Sequence, residues 1–167
     1  TPVISSAASD VYKRQSEGWP ALNPERRIIN SLKEQLAAFR EGAGPELEIL
    51  LDLNFNYRTE GFLTVCRALD DLGLGWFEMD LYDPAALARI RHALKTPVAS
   101  CESLFGLRGF RPFFESQSMD VAIVDVPWNG IWQAMKIAGL AESFEVNVAP
   151  HNFYGHLSTL MLSLIHI

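Results

Sequence analysis

The chain has 167 residues, 49% hydrophobic and 20% charged, with a formal net charge of -6. That is enough for one domain with a real core; the absence of a basic run argues against nucleic acid, and no apolar run is long enough to cross a bilayer. Two cysteines, Cys66 and Cys101, make neither a disulfide framework nor a CxxC metal pair, so a reducing, cytoplasmic setting is expected.

In chain order, the opening "TPVISSAASDVYKRQ" resembles translated adaptor sequence. Residues 1–17 are therefore read as non-native or disordered, as are residues 162–167, and residues 18–161 as the fold-bearing part. Asn23 is expected to cap a helix with Pro24 in its first turn, and Ile28, Ile29, Leu32, Leu36 and Phe39 keep helical spacing. Gly42 and Gly44-Pro45 stop it. "LEILLDL" (Leu47 to Leu53) reads as a buried strand. A helix from Thr59 runs through Phe62, Val65, Cys66 and Leu69 to Gly73. "LGWFE" (Leu74 to Glu78) is a strand, Pro84 to Leu94 a helix and "PVAS" (Pro97 to Ser100) a strand. Next come a helix over about Leu107 to Ser116, the strand "VAIVD" (Val121 to Asp125), a helix from Gly130 to Ala141, and "FEVNVA" (Phe144 to Ala149) as the fifth strand.

Strands alternate with helices at a repeat near 25 residues, the rhythm of βα units on a parallel sheet. An open doubly wound sheet and a (β/α) barrel both fit. No Gly-rich phosphate loop follows a strand, which counts against a dinucleotide-binding fold.

In parallel α/β folds the chemistry collects where strands finish. Here the strands end in Asp52, Glu78, Glu102, Asp125 and His151, at spacings of 26, 24, 23 and 26 residues. Asn54 follows the first. Each acid could instead merely cap the next helix, and for Asp52 or Glu102 taken alone capping is the favoured reading. Together they suggest a site, because converging carboxylates repel unless a cation joins them, and oxygen donors suit Mg²⁺.

With "LDLN", "WFE", "ASCES", "IVDVPWNG" and "VAPHN" at these positions, the chain resembles the enolase superfamily, in its mandelate racemase subgroup. The resemblance covers roughly Gly18 to Met161. It implies a partial TIM-like (β/α)7β barrel domain with parallel strands. It makes Asp52, Glu78 and Glu102 the Mg²⁺ ligands, Asn54 a residue beside the first ligand, and Asp125 with His151 a His-Asp dyad. The implied chemistry is removal of the proton beside a carboxylate through a metal-stabilised enediolate. A sugar acid is the implied substrate and dehydration the reaction; racemisation or epimerisation in the same superfamily is the alternative. A homo-oligomer is expected of the full-length protein.

The sequence departs from the family pattern in places. Met79 and Asp80 stand where an acid and a proline are usual. Asn129-Gly130 replaces a glycine pair, and Cys101 takes a position that is often glycine. The Lys-x-Lys motif of an earlier strand does not occur before Asp52. The chain is thus read as a piece of a longer enzyme, inactive alone, with a non-catalytic metal-binding fragment as the contrasting reading. Arg58 and His156 are weighed as substrate contacts and read as solvated or packing residues. Cys101 is rejected as a nucleophile because nearby carboxylates would raise its pKa. Trp76, Trp128 and Phe144 are read as packing.

Overall fold

The computed structural model describes residues 24–164. They fall into two compact units. The first runs to Met79 and adds Ile90–Val98; the second comprises Asp80–Arg89 and the chain from Ala99 onward.

In the first unit, helix α1 (Arg26–Ala43) buries Ile28, Leu32 and Leu36, a stripe at i, i+4 spacing of the kind an amphipathic helix presents to a core. It starts later than expected. The N-cap is Glu25, without a side-chain cap bond, and Pro24 precedes the helix; Asn23 lies outside the described residues. Gly44, at φ 82, ends the helix and donates its N–H to the Arg40 carbonyl. The Arg40 guanidinium then donates to the carbonyls of Gly44, Leu47 and Gly73, tying two loops to one helix end.

Strands β1 (Leu50–Asp52) and β2 (Trp76–Glu78) flank helix α2 (Thr59–Leu69). Both strands are shorter than the apolar runs that announce them. The runs remain hydrogen-bonded at their ends: Gly75 N–H donates to Ile49 C=O, and Leu53 N–H to Glu78 C=O. The β1–β2 ladder is parallel, with Asp52 opposite Glu78. Phe62, Val65, Cys66, Leu69 and Phe77 are fully buried. Each large apolar side chain among them stabilises the fold by about 1.5–3 kcal/mol on burial.

Helix α3 (Pro84–Arg91) and strand β3 (Val98–Ser100) each cross from one unit to the other along the chain. Helix α3 stops before the expected Leu94, and the next residues turn toward Thr96.

The second unit carries helix α4 (Gly106–Glu115), strand β4 (Val121–Asp125), helix α5 (Val126–Asn129), helix α6 (Ile131–Ser143), strand β5 (Asn147–His151) and helix α7 (His156–Ser163). β4 is buried along its whole length, as a strand covered on both faces must be. The β3–β4 and β4–β5 ladders are parallel. Among the described residues the strand order is β1-β2-β3-β4-β5, which fits the expected α/β class with consecutive βα units.

Two differences from expectation appear here. β5 begins at Asn147, not Phe144, and runs past Ala149 to His151, the residue expected to close it. Helix α6 continues to Ser143, and Glu145 turns the chain at φ 58. Phe144 caps the helix and stacks on buried Phe114 at 6.0 Å, so its apolar ring belongs to the helix end, not the strand. Pro150 sits inside β5, opposite Val124. The other difference is α5, for which the sequence offers no helical pattern. Its four residues follow Asp125, with Pro127 in the first turn.

Candidate active site

Parallel pairing fixes which residues share a level. In the first unit, Asp52 and Glu78 close their strands as register partners. Asn54 lies at φ 51, a left-handed conformation that asparagine tolerates better than most residues. The turn it makes aims its backbone N–H at Asp52 Oδ1 (2.7 Å) and its side-chain amide at Oδ2 (2.9 Å). Both carboxylate oxygens of Asp52 are thereby oriented. Glu78 Oε2 accepts from the indole Nε1 of Trp76 at 3.4 Å, so Trp76, expected only to pack, also orients a carboxylate.

In the second unit, Asp125 and His151 are register partners on β4 and β5. Their side chains meet: His151 Nδ1 lies 2.8 Å from Asp125 Oδ2. His151 Nε2 lies 3.3 Å from Glu102 Oε1. The structure thus brings Glu102, Asp125 and His151 together. An ionised carboxylate only accepts, so Nδ1 is the donor to Asp125. A neutral ring then leaves Nε2 as an acceptor, whereas a protonated ring donates to both carboxylates.

Asp125 is completely buried, which is costly for a carboxylate unless its oxygens are satisfied. Three donors do this. The Trp128 backbone N–H reaches Oδ1 at 2.8 Å; the Tyr154 hydroxyl and His151 Nδ1 reach Oδ2, each at 2.8 Å. The capping role and the dyad geometry, weighed as alternatives from sequence, coexist on one side chain: Oδ1 caps α5 while Oδ2 faces His151.

Tyr154 escaped the sequence reading. Its hydroxyl is pushed up to about 12, first by desolvation, then by its bond to Asp125 and the negative charge of Asp125 and Glu102. Only the aromatic residue three places after His151 could have signalled it. Asn129 was also missed as a contributor. Its side-chain oxygen accepts from Gly106 N–H at 2.7 Å, and its amide donates to the Leu104 and Asp125 carbonyls at 3.2 and 2.9 Å. This holds the loop after β3 against the turn after β4. Above it, exposed Phe105 and Trp128 stack with centroids 5.3 Å apart.

Cys101 adopts φ 89, which explains why a glycine suits that position. Its N–H donates to Asp80 Oδ1 at 3.2 Å, a bond that employs one of the departing residues. The thiol is buried and its pKa is raised well above the usual range, first by burial and then by Asp80. The sequence reading reached the right direction for the wrong main reason, since burial outweighs the carboxylates. Arg58 is exposed at the N-cap of α2 and makes no side-chain cap bond, and His156 is exposed at the start of α7.

Asp52 and Glu78 belong to the first unit and Glu102 to the second. Among the described residues, no three His, Cys, Asp or Glu side chains form a group poised to hold a metal ion. The donor set is nevertheless all carboxylate oxygen, the chemistry that Mg²⁺ prefers.

The chain matches the family described as "Enolase C-terminal domain-like" over residues 14–166. A solved structure from Burkholderia xenovorans strain LB400, named as a candidate L-alanine-DL-glutamate epimerase bound to magnesium and fumarate, is 52% identical. Its TM-score is 0.84, over 87% of this chain and 36% of that one. The arabinonate dehydratase of Saccharolobus solfataricus is 31% identical over 76% of this chain and 35% of its own length. The D-galactarolactone cycloisomerase of Agrobacterium fabrum is 29% identical over 89% of this chain and 40% of its own. The chain therefore spans about two fifths or less of the relatives it matches.

Proposed function

Because this chain belongs to the enolase C-terminal domain-like family, we propose that it is part of a longer enzyme that removes the proton beside a carboxylate of a sugar acid and so starts a dehydration. The observation that carries this reading is the 2.8 Å contact between His151 and fully buried Asp125. A base at carbon needs one fixed ring orientation, and a buried carboxylate on Nδ1 supplies it. His151 Nε2 takes the proton. Asp125 stabilises the imidazolium that results, without itself being protonated. Departure of the neighbouring hydroxyl as water then leaves an enol, which tautomerises, gaining a proton at the adjacent carbon and losing the enol O–H proton, to a 2-keto-3-deoxy acid. His151, once protonated, can return its proton to the departing hydroxyl.

Asp52, Glu78 and Glu102 are the residues that would hold Mg²⁺, whose chemistry when bound is to stabilise negative charge on the substrate carboxylate. Asn54 keeps both Asp52 oxygens turned for that task. Relatives named as dehydratases of arabinonate and of talarate and galactarate support the substrate class.

Epimerisation is the second reading, favoured by the 52% identical neighbour named as a candidate epimerase. One experiment separates the two. The full-length protein is incubated in deuterated water with Mg²⁺ and a panel of aldonic and aldaric acids, galactarate and arabinonate included. A 2-keto-3-deoxy product supports dehydration. Deuterium beside the carboxylate with inverted configuration and no keto product supports epimerisation. A panel from which no acid loses its α-proton would sink both.

A further inference from the structure

We infer that Tyr154 is a positioning residue for the proposed dyad: its hydroxyl fixes the plane of the Asp125 carboxylate, so that Oδ2 meets His151 Nδ1 in one orientation. The inference rests on the proton-abstraction reading above.

The last torsion of an aspartate is soft, with a broad distribution about two-fold related minima. Burial alone does not set the carboxylate plane; the donors do. Trp128 N–H fixes Oδ1 from α5, and the Tyr154 hydroxyl fixes Oδ2 from the loop beyond β5. With both oxygens held by groups other than the base, His151 meets a carboxylate already oriented. Without the hydroxyl, Oδ2 would be held by His151 alone, and the imidazole would have to orient its own partner.

The loop is built to deliver that hydroxyl. Asn152 Oδ1 accepts from Tyr154 N–H at 3.3 Å and from the Ser158 hydroxyl at 2.8 Å, while its amide donates to Thr159 Oγ1 at 3.2 Å. The turn is thus anchored to the first residues of α7. The Tyr154 ring packs on Phe153 with centroids 4.3 Å apart and stands edge-on to His151 at 6.0 Å. The hydroxyl's raised pKa keeps it a donor throughout the neutral range.

The test uses Tyr154→Phe in the full-length protein, a change that keeps the ring packing and removes one oxygen. With histidines labelled in ¹⁵N, the Nδ1-bound proton of His151 reports how firmly it is held on Asp125. The expected result is faster exchange of that proton with solvent and a broadened downfield signal, because the carboxylate that accepts it no longer has its plane fixed. On any acid of the panel that the wild type consumes, kcat should fall about tenfold while KM stays within about twofold, the size of one charge-assisted hydrogen bond. An unchanged Nδ1 proton signal and exchange rate would overturn the inference whether or not the protein turns over any acid. Faster Nδ1 proton exchange in a protein inert toward the whole panel would leave the positioning role standing and remove the proposed reaction.

Discussion

Asp125 divides its two oxygens between a helix and a histidine. This makes the proposed base testable apart from the fold. In the full-length protein, His151→Asn should leave Mg²⁺ affinity by calorimetry nearly unchanged, because His151 is not among the proposed ligands. Exchange of the substrate α-proton should fall by about 10²–10⁴-fold, the usual contribution of a positioned base. Near-normal exchange would reduce His151 to a strand-end residue. Cys101 gives a second test. At φ 89 a β-branched side chain is severely strained, so Cys101→Val should lower stability by about 1–3 kcal/mol. Cys101→Gly should cost less, since relief of strain offsets the lost burial. Chemical denaturation of the two variants checks the order. What the sequence revealed at this scale was every strand-end ionisable group, because each closes an apolar run. It hid Tyr154, whose role depends on a turn held by Asn152, and it hid the Trp128 N–H, because backbone donors leave no trace in residue identity.

Among the elements, the link between α2 and the turn before β3 rests on Asp70. Its carboxylate accepts from the N–H groups of Lys95 at 2.9 Å and Thr96 at 2.9 Å. Burial by itself would raise its pKa; these N–H groups, the Thr96 side chain and the Lys95 charge outweigh it, and the net direction is down. A carboxyl depressed in the folded state stabilises above its unfolded value of about 3.9 and loses that contribution as pH falls through the folded value. Asp70→Ala should therefore cost about 1 kcal/mol near neutrality, and less as acid protonates the wild-type carboxyl. Urea midpoints for both proteins between pH 7 and pH 3 should converge at the acid end; a constant gap would exclude the ionised carboxylate as the cause. Strands were legible because their cores are continuous apolar runs, and β4 matched its expected bounds from Val121 to Asp125. The start of β5 was misplaced because Phe144 mimics a strand residue while it caps α6 and stacks on Phe114. α5 was missed because four residues are too few to show a helical period.

For the molecule as a whole, the alternation of strand and helix along the sequence identifies the parallel α/β class. The sequence could not show which apolar side chains stay exposed. On α7, Leu157 and Leu160 are 72% and 65% exposed, and the C-cap Leu164 is 48% exposed, at spacings of three and four that continue one side of the helix. Contiguous apolar surface of this kind drives association. The 167-residue chain should self-associate at micromolar concentration, and the double change Leu157→Lys with Leu160→Lys should reduce that association. Light scattering after size-exclusion chromatography gives the answer; a monodisperse monomer of the unmodified chain would refute the expectation.

The passage of β3 from one unit to the other has an evolutionary reading. Asp52, Asn54 and Glu78 are encoded upstream of Val98–Ala99, and Glu102, Asp125, His151 and Tyr154 downstream. A recombination crossover at that dipeptide would exchange one group of charged residues as a block and leave the other unbroken. Chimaeras joined there, between relatives that act on different acids, would ask which half of the gene carries substrate preference and which carries the proton.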